Sequence, residues 1–324
     1  MKSNLASLIQ KAAAARAAYL ADNVHEAWRL INGPGDGAAP GLSADFYGKY
    51  LVVNARASVP AEILEEWCEA LWAYYSPPAL VCKIFAEKVT ESTSRLFRGT
   101  WPQEPLSIRE GKVQLLCNLD EDFATGLYLD LHDVRLWLGQ ETEGLEVLNL
   151  FSYTCSFSAH AALGGAKRVT SVDASKRALN RGRENMRING IDPNQHRWFS
   201  DDVLTHLKRA SKRGDRYDFI ILDPPAFGRA GKRVFELKKD LVSLLDHSLS
   251  LLRHGGRLLI SIHTAGFEQG VLLEELNRVA KSLKFRLKTL KHFGLPVWDH
   301  PILDNKPGDR GDYLQVLVVE AKCA

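Results

Sequence analysis

Three aspartates sit where apolar runs end, and two prolines follow one of them. "FIILDPPAFGR" leads four apolar residues into Asp223, then Pro224 and Pro225, then Phe227. Proline lacks an N–H, and the residue before a proline is pushed to an extended backbone. Two in succession fix a rigid turn with bare carbonyls. Those carbonyls and the Asp223 carboxylate can accept hydrogen bonds from a planar substrate or lie beside a sulfonium. Phe227 offers a ring face on which a flat base can stack. The competing reading is a strand stopped by proline, with Phe227 in the core. Asp173 ends "RVTSVD", twenty residues after Tyr153. An acid at that interval can accept both hydroxyls of an adenosine ribose, or it can cap the next helix with Ser175. Asp202 can accept from an exocyclic adenine amine, or Asp201 and Asp202 can be solvated loop acids.

The stretch "FSYTCS", Phe151, Ser152, Tyr153, Thr154, Cys155 and Ser156, follows another apolar run and lacks GxGxxG. A dinucleotide needs glycines in such a turn so that backbone can approach its pyrophosphate. Bulky and hydroxylic side chains there fit a cofactor without phosphates, which favours S-adenosylmethionine over NAD.

These residues need a scaffold that gathers strand ends. From about Asp120, strands alternate with helices. The strands are "LEVLNLF", "RVTSVDAS", "RWFSDDV", "DFIILDPP", "RLLISIH" and "YLQVLVVEA". The helices are "SFSAHAALGGA", "KRALNRGRENMRING", a long "LVSLLDHSLSLLRHGG" closed by Gly255 and Gly256, and "GVLLEELNRVAKSL". Such alternation predicts a parallel sheet covered on both faces, with ligands beyond the carboxyl ends of its strands. Upstream, residues 1 to about 33 read as a helix with Leu8, Ala12 and Tyr19 on one face. "LSADFYGKYLVVNA" reads as a hairpin turning near Gly48, and Ala61 to Tyr75 as a helix. The expectation is a small α/β domain on the substrate side over 1–118, then a second domain over 119–324.

Composition narrows the class. The chain is 45% apolar and 25% charged, an ordinary globular balance. No eighteen apolar residues run uninterrupted, so no membrane span is expected. The N-terminal stretch mixes Lys, Gln and Arg into its apolar positions, unlike an export signal, and the cytoplasm is the default. Cys68, Cys82, Cys117, Cys155 and Cys323 are odd in number and form no CxxC, which argues against a disulfide framework or a zinc site. A net charge of +3 neither demands nor excludes nucleic acid.

Taken together, "TGLYLDLHDVR", "VLNLFSYTCSFSAHAALGGAKRVTSVDASKRALNRGRENMRING", "DDV", "YDFIILDPPAFGR", "DHPILD" and "GDYLQVLVV" resemble the class I S-adenosylmethionine-dependent methyltransferases of 23S, large-subunit ribosomal RNA. That group includes 5-methylcytosine and 7-methylguanosine enzymes. "RLINGPGDGAAPGLSADFYGKYLVV" resembles the small domain that precedes catalysis in it. The resemblance implies a Rossmann-like sheet of seven strands, mostly parallel, with the last antiparallel. It implies cofactor contacts at Phe151, Ser152, Tyr153, Thr154, Ser156, Asp173, Ala174, Asp202, Val203 and Asp223, with Tyr128 in a segment that lids the cofactor. Asp223, Pro224, Pro225 and Phe227 would form the catalytic face.

The chain departs from that pattern in four places. Leu131 and His132 stand in the lid where Gln or His and then Arg are usual. Cys155 stands where Gly is usual. Many relatives begin with an RNA-binding PUA domain, whereas here only a helix of about thirty residues precedes the small domain. The 5-methylcytosine enzymes carry a nucleophilic Cys after the fifth strand, and here that place is His263.

The last departure bears on chemistry. Cytosine C5 is a poor nucleophile until a thiolate adds at C6. Guanine N7 already has a lone pair and needs only alignment and a dry pocket. An exocyclic amine would also serve, with Asp223 or the Pro224 carbonyl taking its hydrogen bond. N-methylation of a base, at guanine N7, is the favoured expectation. The alternatives are a cytosine-C5 enzyme, a small-molecule methyltransferase and a non-catalytic RNA-binding relative. A nucleotide-dependent oxidoreductase lacks its glycine fingerprint. His263 can contact substrate, act as a weak general base, or simply pack. Arg229, Lys232 and Arg233 follow the catalytic turn and are placed to touch phosphates. "LKRASKRGDR" and "KSLKFRLKTLKH" read as solvated faces. The expected partner is RNA, 23S rRNA or a ribosomal precursor, bound by a monomer or homodimer away from membranes.

Overall fold

The computed structural model describes residues 2–21, 25–86, 92–103, 105–120, 124–230, 233–263, 270–301 and 313–323. The chain divides into two compact units, Met1–His132 with Pro296–Gly311, and Asp133–Leu295 with Asp312–Ala324. The first unit therefore runs beyond residue 118 and takes in a segment near the C-terminus. Among the described residues no helix is long and apolar enough to cross a membrane.

The first unit holds α1 (Lys2–Leu20), β1 (Ala27–Asn32), β2 (Leu42–Tyr47), β3 (Tyr50–Arg56), α2 (Ala61–Tyr75), β4 (Ala79–Phe85) and β5 (Ser92–Gly99). The strands form one sheet in sequence order, antiparallel except for β3 against β4, which α2 joins. β6 (Leu106–Glu110) and β7 (Val113–Cys117) make a separate hairpin. Ile9 and Ala12 of α1 and Leu64, Trp67, Cys68 and Leu71 of α2 bury against Leu30, Ile31, Leu51, Val53 and Leu80 of the sheet. Arg16, on the same stripe of α1, is also buried. Both Asp36 carboxylate oxygens accept from its guanidinium at 2.7 Å.

The expected helix over residues 1 to about 33 stops at Leu20, and 27–32 is a strand. A register irregularity between Arg29 and Ile31 explains the misreading. It turns Leu30 and Ile31 inward together, so the buried set Ala27, Leu30 and Ile31 imitates the i, i+3, i+4 spacing of a helix. The hairpin turning at Gly48 and the helix over 61–75 stand where the sequence placed them.

The second unit carries β8 (Glu146–Leu150), α4 (Ser156–Leu163), β9 (Arg168–Asp173), α5 (Lys176–Ile188), β10 (Arg197–Ser200), α6 (Val203–Arg213) and β11 (Tyr217–Leu222). After them come β12 (Phe227–Ala230), β13 (Arg233–Glu236), α7 (Leu237–Ser250), β14 (Leu252–Ile262), α8 (Val271–Ser282), β15 (Phe285–Phe293) and β16 (Gln315–Cys323). α3 (His132–Gln140) bridges the sequence boundary between the units. Seven strands pair in the order β10-β9-β8-β11-β14-β16-β15. The first five are parallel and β16 runs antiparallel to its neighbours, as expected for the last strand. Leu148, Leu150, Ile220, Leu222, Leu258, Ile260, Leu317 and Val319 alternate along their strands and bury against α6, α7 and α8.

One element differs from expectation, and two basic stretches present their lysines and arginines to solvent as expected. α7 ends at Ser250, and Gly255 and Gly256 lie inside β14, where the pairing with β11 shifts register and Gly255 takes φ 75°. "LKRASKRGDR" belongs mostly to α6, an amphipathic helix burying Val203, Leu204, Leu207 and Ala210 while Lys208, Arg209 and Lys212 face solvent. "KSLKFRLKTLKH" runs into β15, whose lysines guard a sheet edge.

Candidate functional site

Strand register sets the expected residues in one rank. Leu150 pairs with both Val172 and Leu222, and Leu222 pairs with Ile260. The next residues, Phe151, Asp173, Asp223 and Ser261, stand side by side where the parallel strands end. Strand order reverses between β8 and β11, so their two exits open a crevice.

The β8 exit is a strained loop. Phe151, Tyr153 and Cys155 adopt φ of 56°, 45° and 64°, left-handed values that cost a non-glycine residue about 1–2 kcal/mol each. Neighbours hold them there. Ser152 N–H donates to Val172 O at 3.0 Å, Cys155 N–H to Ser152 O at 2.7 Å, and the Asn185 amide to Thr154 O at 2.9 Å. Tyr153 N–H donates to Asp173 Oδ2 at 2.8 Å, and Ser175 N–H to Oδ1 at 2.7 Å. Each carboxylate oxygen thus takes one backbone donor and keeps lone-pair capacity for a ligand hydroxyl. Burial raises the Asp173 carboxyl above its ordinary value, which the two N–H donors partly oppose. The competing cap role goes to Ser175, whose Oγ accepts from Ala178 N–H at 3.2 Å.

Cys155 fills a slot beside α5. A Cβ on Gly182 would lie 2.5 Å from its Sγ and 3.0 Å from Trp198. Gly182→Ala is therefore expected to destabilise the protein by about 1–3 kcal/mol. Adding Cys155→Gly should restore most of that loss in denaturant melts. Burial pushes the Cys155 thiol up to about 12, so it is a neutral thiol at neutral pH.

Asp202 caps α6, its Oδ1 accepting from Thr205 N–H and Oγ1 at 2.8 Å each. Asp201 instead pairs with Arg209 at 2.6 Å. Val203 is buried at the start of α6, and Ala174 is exposed beside Asp173. Tyr128 lies in the first unit and is half exposed. His132 departs from the pattern for a visible reason. It is buried in the first unit, 3.5 Å from Asp299 and edge-on to Trp298.

Beyond β11, Pro224 is buried, while Pro225 and Ala226 are exposed. The turn opens the β12–β13 hairpin, and Leu237 N–H donates to Ala226 O at 3.0 Å to close it. Phe227 is 70% exposed, which overturns the reading of it as a core residue. Phe235 anchors the hairpin instead, its ring 5.0 Å from Phe151. Arg229 and Arg233 lie on the two hairpin strands. Lys232 falls outside the described residues.

His263 is not simply packed. Its Nε2 is 2.9 Å from Asp223 Oδ1, and its side chain keeps 29% exposure. Ser261 Oγ donates to the same oxygen. The sequence reading overlooked Ser261, although its i, i+2 relation to His263 would have placed both on one face of a strand.

The chain is similar to known proteins. A model of the S-adenosylmethionine-dependent methyltransferase family matches residues 72–300. The chain is 32% identical to YwbD of Bacillus subtilis, named as a candidate ribosomal RNA large subunit methyltransferase, over 98% of this chain and 80% of that protein. It is 31% identical to ribosomal RNA large subunit methyltransferase I of Aeromonas salmonicida, over 91% and 74% respectively. A crystal structure of a candidate methyltransferase complexed with S-adenosylhomocysteine superposes with TM-score 0.89 at 28% identity, covering 98% of this chain and 81% of the other. The seven-stranded sheet is thus the Rossmann-like class I arrangement that the sequence implied.

Proposed function

The chain belongs to the S-adenosylmethionine-dependent methyltransferase family, and we propose that it methylates a base of large-subunit ribosomal RNA at guanine N7. S-adenosylmethionine supplies a methyl group made electrophilic by its sulfonium. Asp173 would hold the ribose of that cofactor, with the backbone from Phe151 to Ser156 around it. Asp202, Val203 and Ala174 would flank the adenine. The fit rests on the Asp173 carboxylate, which is fixed by two backbone donors in a loop without phosphate-cradling glycines.

Pro224 and Pro225 stiffen the turn that carries Asp223 and Phe227. The exposed Phe227 ring suits stacking on an unstacked base. Arg229, Lys232 and Arg233 would meet phosphates beside it. Relatives named for large-subunit ribosomal RNA support that substrate class, and the cytoplasm is its place.

The observation that carries the nitrogen reading is His263, hydrogen-bonded to Asp223 at the place of the C5 nucleophile. The one thiol by the cofactor loop, Cys155, is buried and protonated. A base nitrogen attacks without covalent help, whereas cytosine C5 does not. The Asp223–His263 pair also suits a second reading, an exocyclic amine whose proton must leave.

Mass mapping of modified nucleosides in ribosomal RNA, from cells with and without the gene, tests this. Loss of 7-methylguanosine is expected. Loss of 5-methylcytosine instead would overturn the nitrogen reading, and loss of an N-methylated amine would select the second one.

A further inference from the structure

His263 and Ser261 leave the same face at the end of β14, two residues apart. Ile260 pairs with Leu222, so that face meets Asp223, the first residue past β11. Both side chains converge on a single atom. Ser261 Oγ donates to Asp223 Oδ1, and His263 Nε2 lies 2.9 Å from that oxygen. Among the described residues Oδ2 has no hydrogen-bond partner.

We propose that His263 is a positioning residue: with Ser261 it clamps Asp223 Oδ1, so that Oδ2 faces the methyl-accepting base as its hydrogen-bond acceptor. The inference rests on the reading of a nucleobase as substrate. Ser261 alone leaves the carboxylate free to swing about one hydrogen bond. The second donor, arriving from the next turn of the pleat, fixes its plane.

A carboxylate with one oxygen satisfied and one presented selects a base edge that offers N–H donors. Guanine offers its N1–H and its exocyclic amine; adenine offers no N1–H. The fixed negative charge also serves the transfer itself. When the ring nitrogen's lone pair takes the methyl, the methyl–sulfur electrons stay on sulfur, no proton moves, and the ring becomes cationic. An anion already aimed at that ring stabilises the charge as it develops.

The test compares His263→Ala, His263→Gln, Asp223→Ala and the double variant His263→Ala/Asp223→Ala. Each is assayed for methyl transfer to deproteinised large-subunit ribosomal RNA from cells lacking the gene. S-adenosylhomocysteine binding is measured by calorimetry. His263→Ala should lower kcat about tenfold or more, the size of one lost charge-assisted bond. KM for the methyl donor and the affinity for S-adenosylhomocysteine should hold. His263→Gln, which keeps a side-chain N–H donor, should recover most of the rate. In the Asp223→Ala background, removing His263 should add nothing.

A His263→Ala enzyme as fast as the parent, or a His263 effect undiminished without Asp223, overturns the clamp. Imidazole nitrogen NMR of the resting protein reads the clamp without turnover. A proton on Nε2 that is protected in the parent and exchanges freely in Asp223→Ala is expected, and a neutral ring protonated on Nδ1 overturns it. If that signal is present while the parent methylates no ribosomal RNA, the substrate reading fails and the clamp stands.

Discussion

Asp173→Ala lowers affinity for S-adenosylhomocysteine about a hundredfold, because two hydrogen bonds from ribose hydroxyls to a charged acceptor vanish together. Isothermal calorimetry reads this directly, and unchanged affinity would remove Asp173 from the cofactor site. A second measurement separates loss of contact from loss of fold. Burial holds the folded carboxyl above its unfolded value. The unfolded chain therefore sheds that proton first as pH rises. The contribution of Asp173 to stability is full in acid and is lost as pH climbs from about 4 through the raised folded value. The melting temperature of the parent, relative to Asp173→Ala, should fall across that window in the cofactor-free protein. A gap that does not narrow would mean that the carboxylate lies in no desolvated site. The two arms express one compromise: a carboxylate that costs stability when ionised is kept because a ligand's hydroxyls satisfy it.

The parallel half of the second unit was legible because β8 and β11 hold apolar runs, and β9 and β11 end at or next to an Asp. β11, "YDFIIL", buries all but Asp218 and stops at a proline pair no strand can continue through. β1 was not legible, since an irregular register makes Ala27, Leu30 and Ile31 look helical. α6 hid because its five buried positions include His206 and are diluted by basic residues on the outer face. β15 hid for a related reason: an edge strand buries little, and only Phe285, Leu287 and Phe293 are even half-buried in it. In each case the missing information was tertiary, namely which neighbour covers which face.

Chemistry was more legible than contacts. Asp173 and Asp223 could be picked out because acids at strand ends recur where ligands bind, and both now stand in one rank. What the sequence withheld was partnership. Asp173 and Ser175 were rivals for one cap, and geometry gives the cap to Ser175 while Asp173 ties β9 to the loop after β8. Asp202 was weighed between ligand and solvated loop, and it caps α6. His263 had three readings that side-chain direction alone could separate. Ser261 carried no signal beyond its spacing.

Asp223→Ala should reduce kcat for RNA methylation by roughly 10²–10³-fold, the range seen when a pre-aimed electrostatic group is removed from a developing charge. S-adenosylhomocysteine affinity should change far less, since Asp173 ends β9, on the other side of β8 from β11. Asp223→Asn is the sharper probe. It keeps an acceptor oxygen and removes the charge, and its amide can face Ser261 and His263 only by turning its oxygen toward them. Its NH₂ then points at the base, where a donor is wanted least. If the charge is what matters, Asn should be nearly as slow as Ala. If hydrogen-bond acceptance alone matters, Asn should recover whenever the oxygen faces the base, and the rate should fall between Ala and the parent. Single-turnover assays with saturating methyl donor distinguish these, because they isolate the transfer from product release. Full activity in Asp223→Ala would assign base recognition to the Pro224 carbonyl and the Phe227 ring. The proline turn would then matter for its shape, and the acid at its head only for closing the strand.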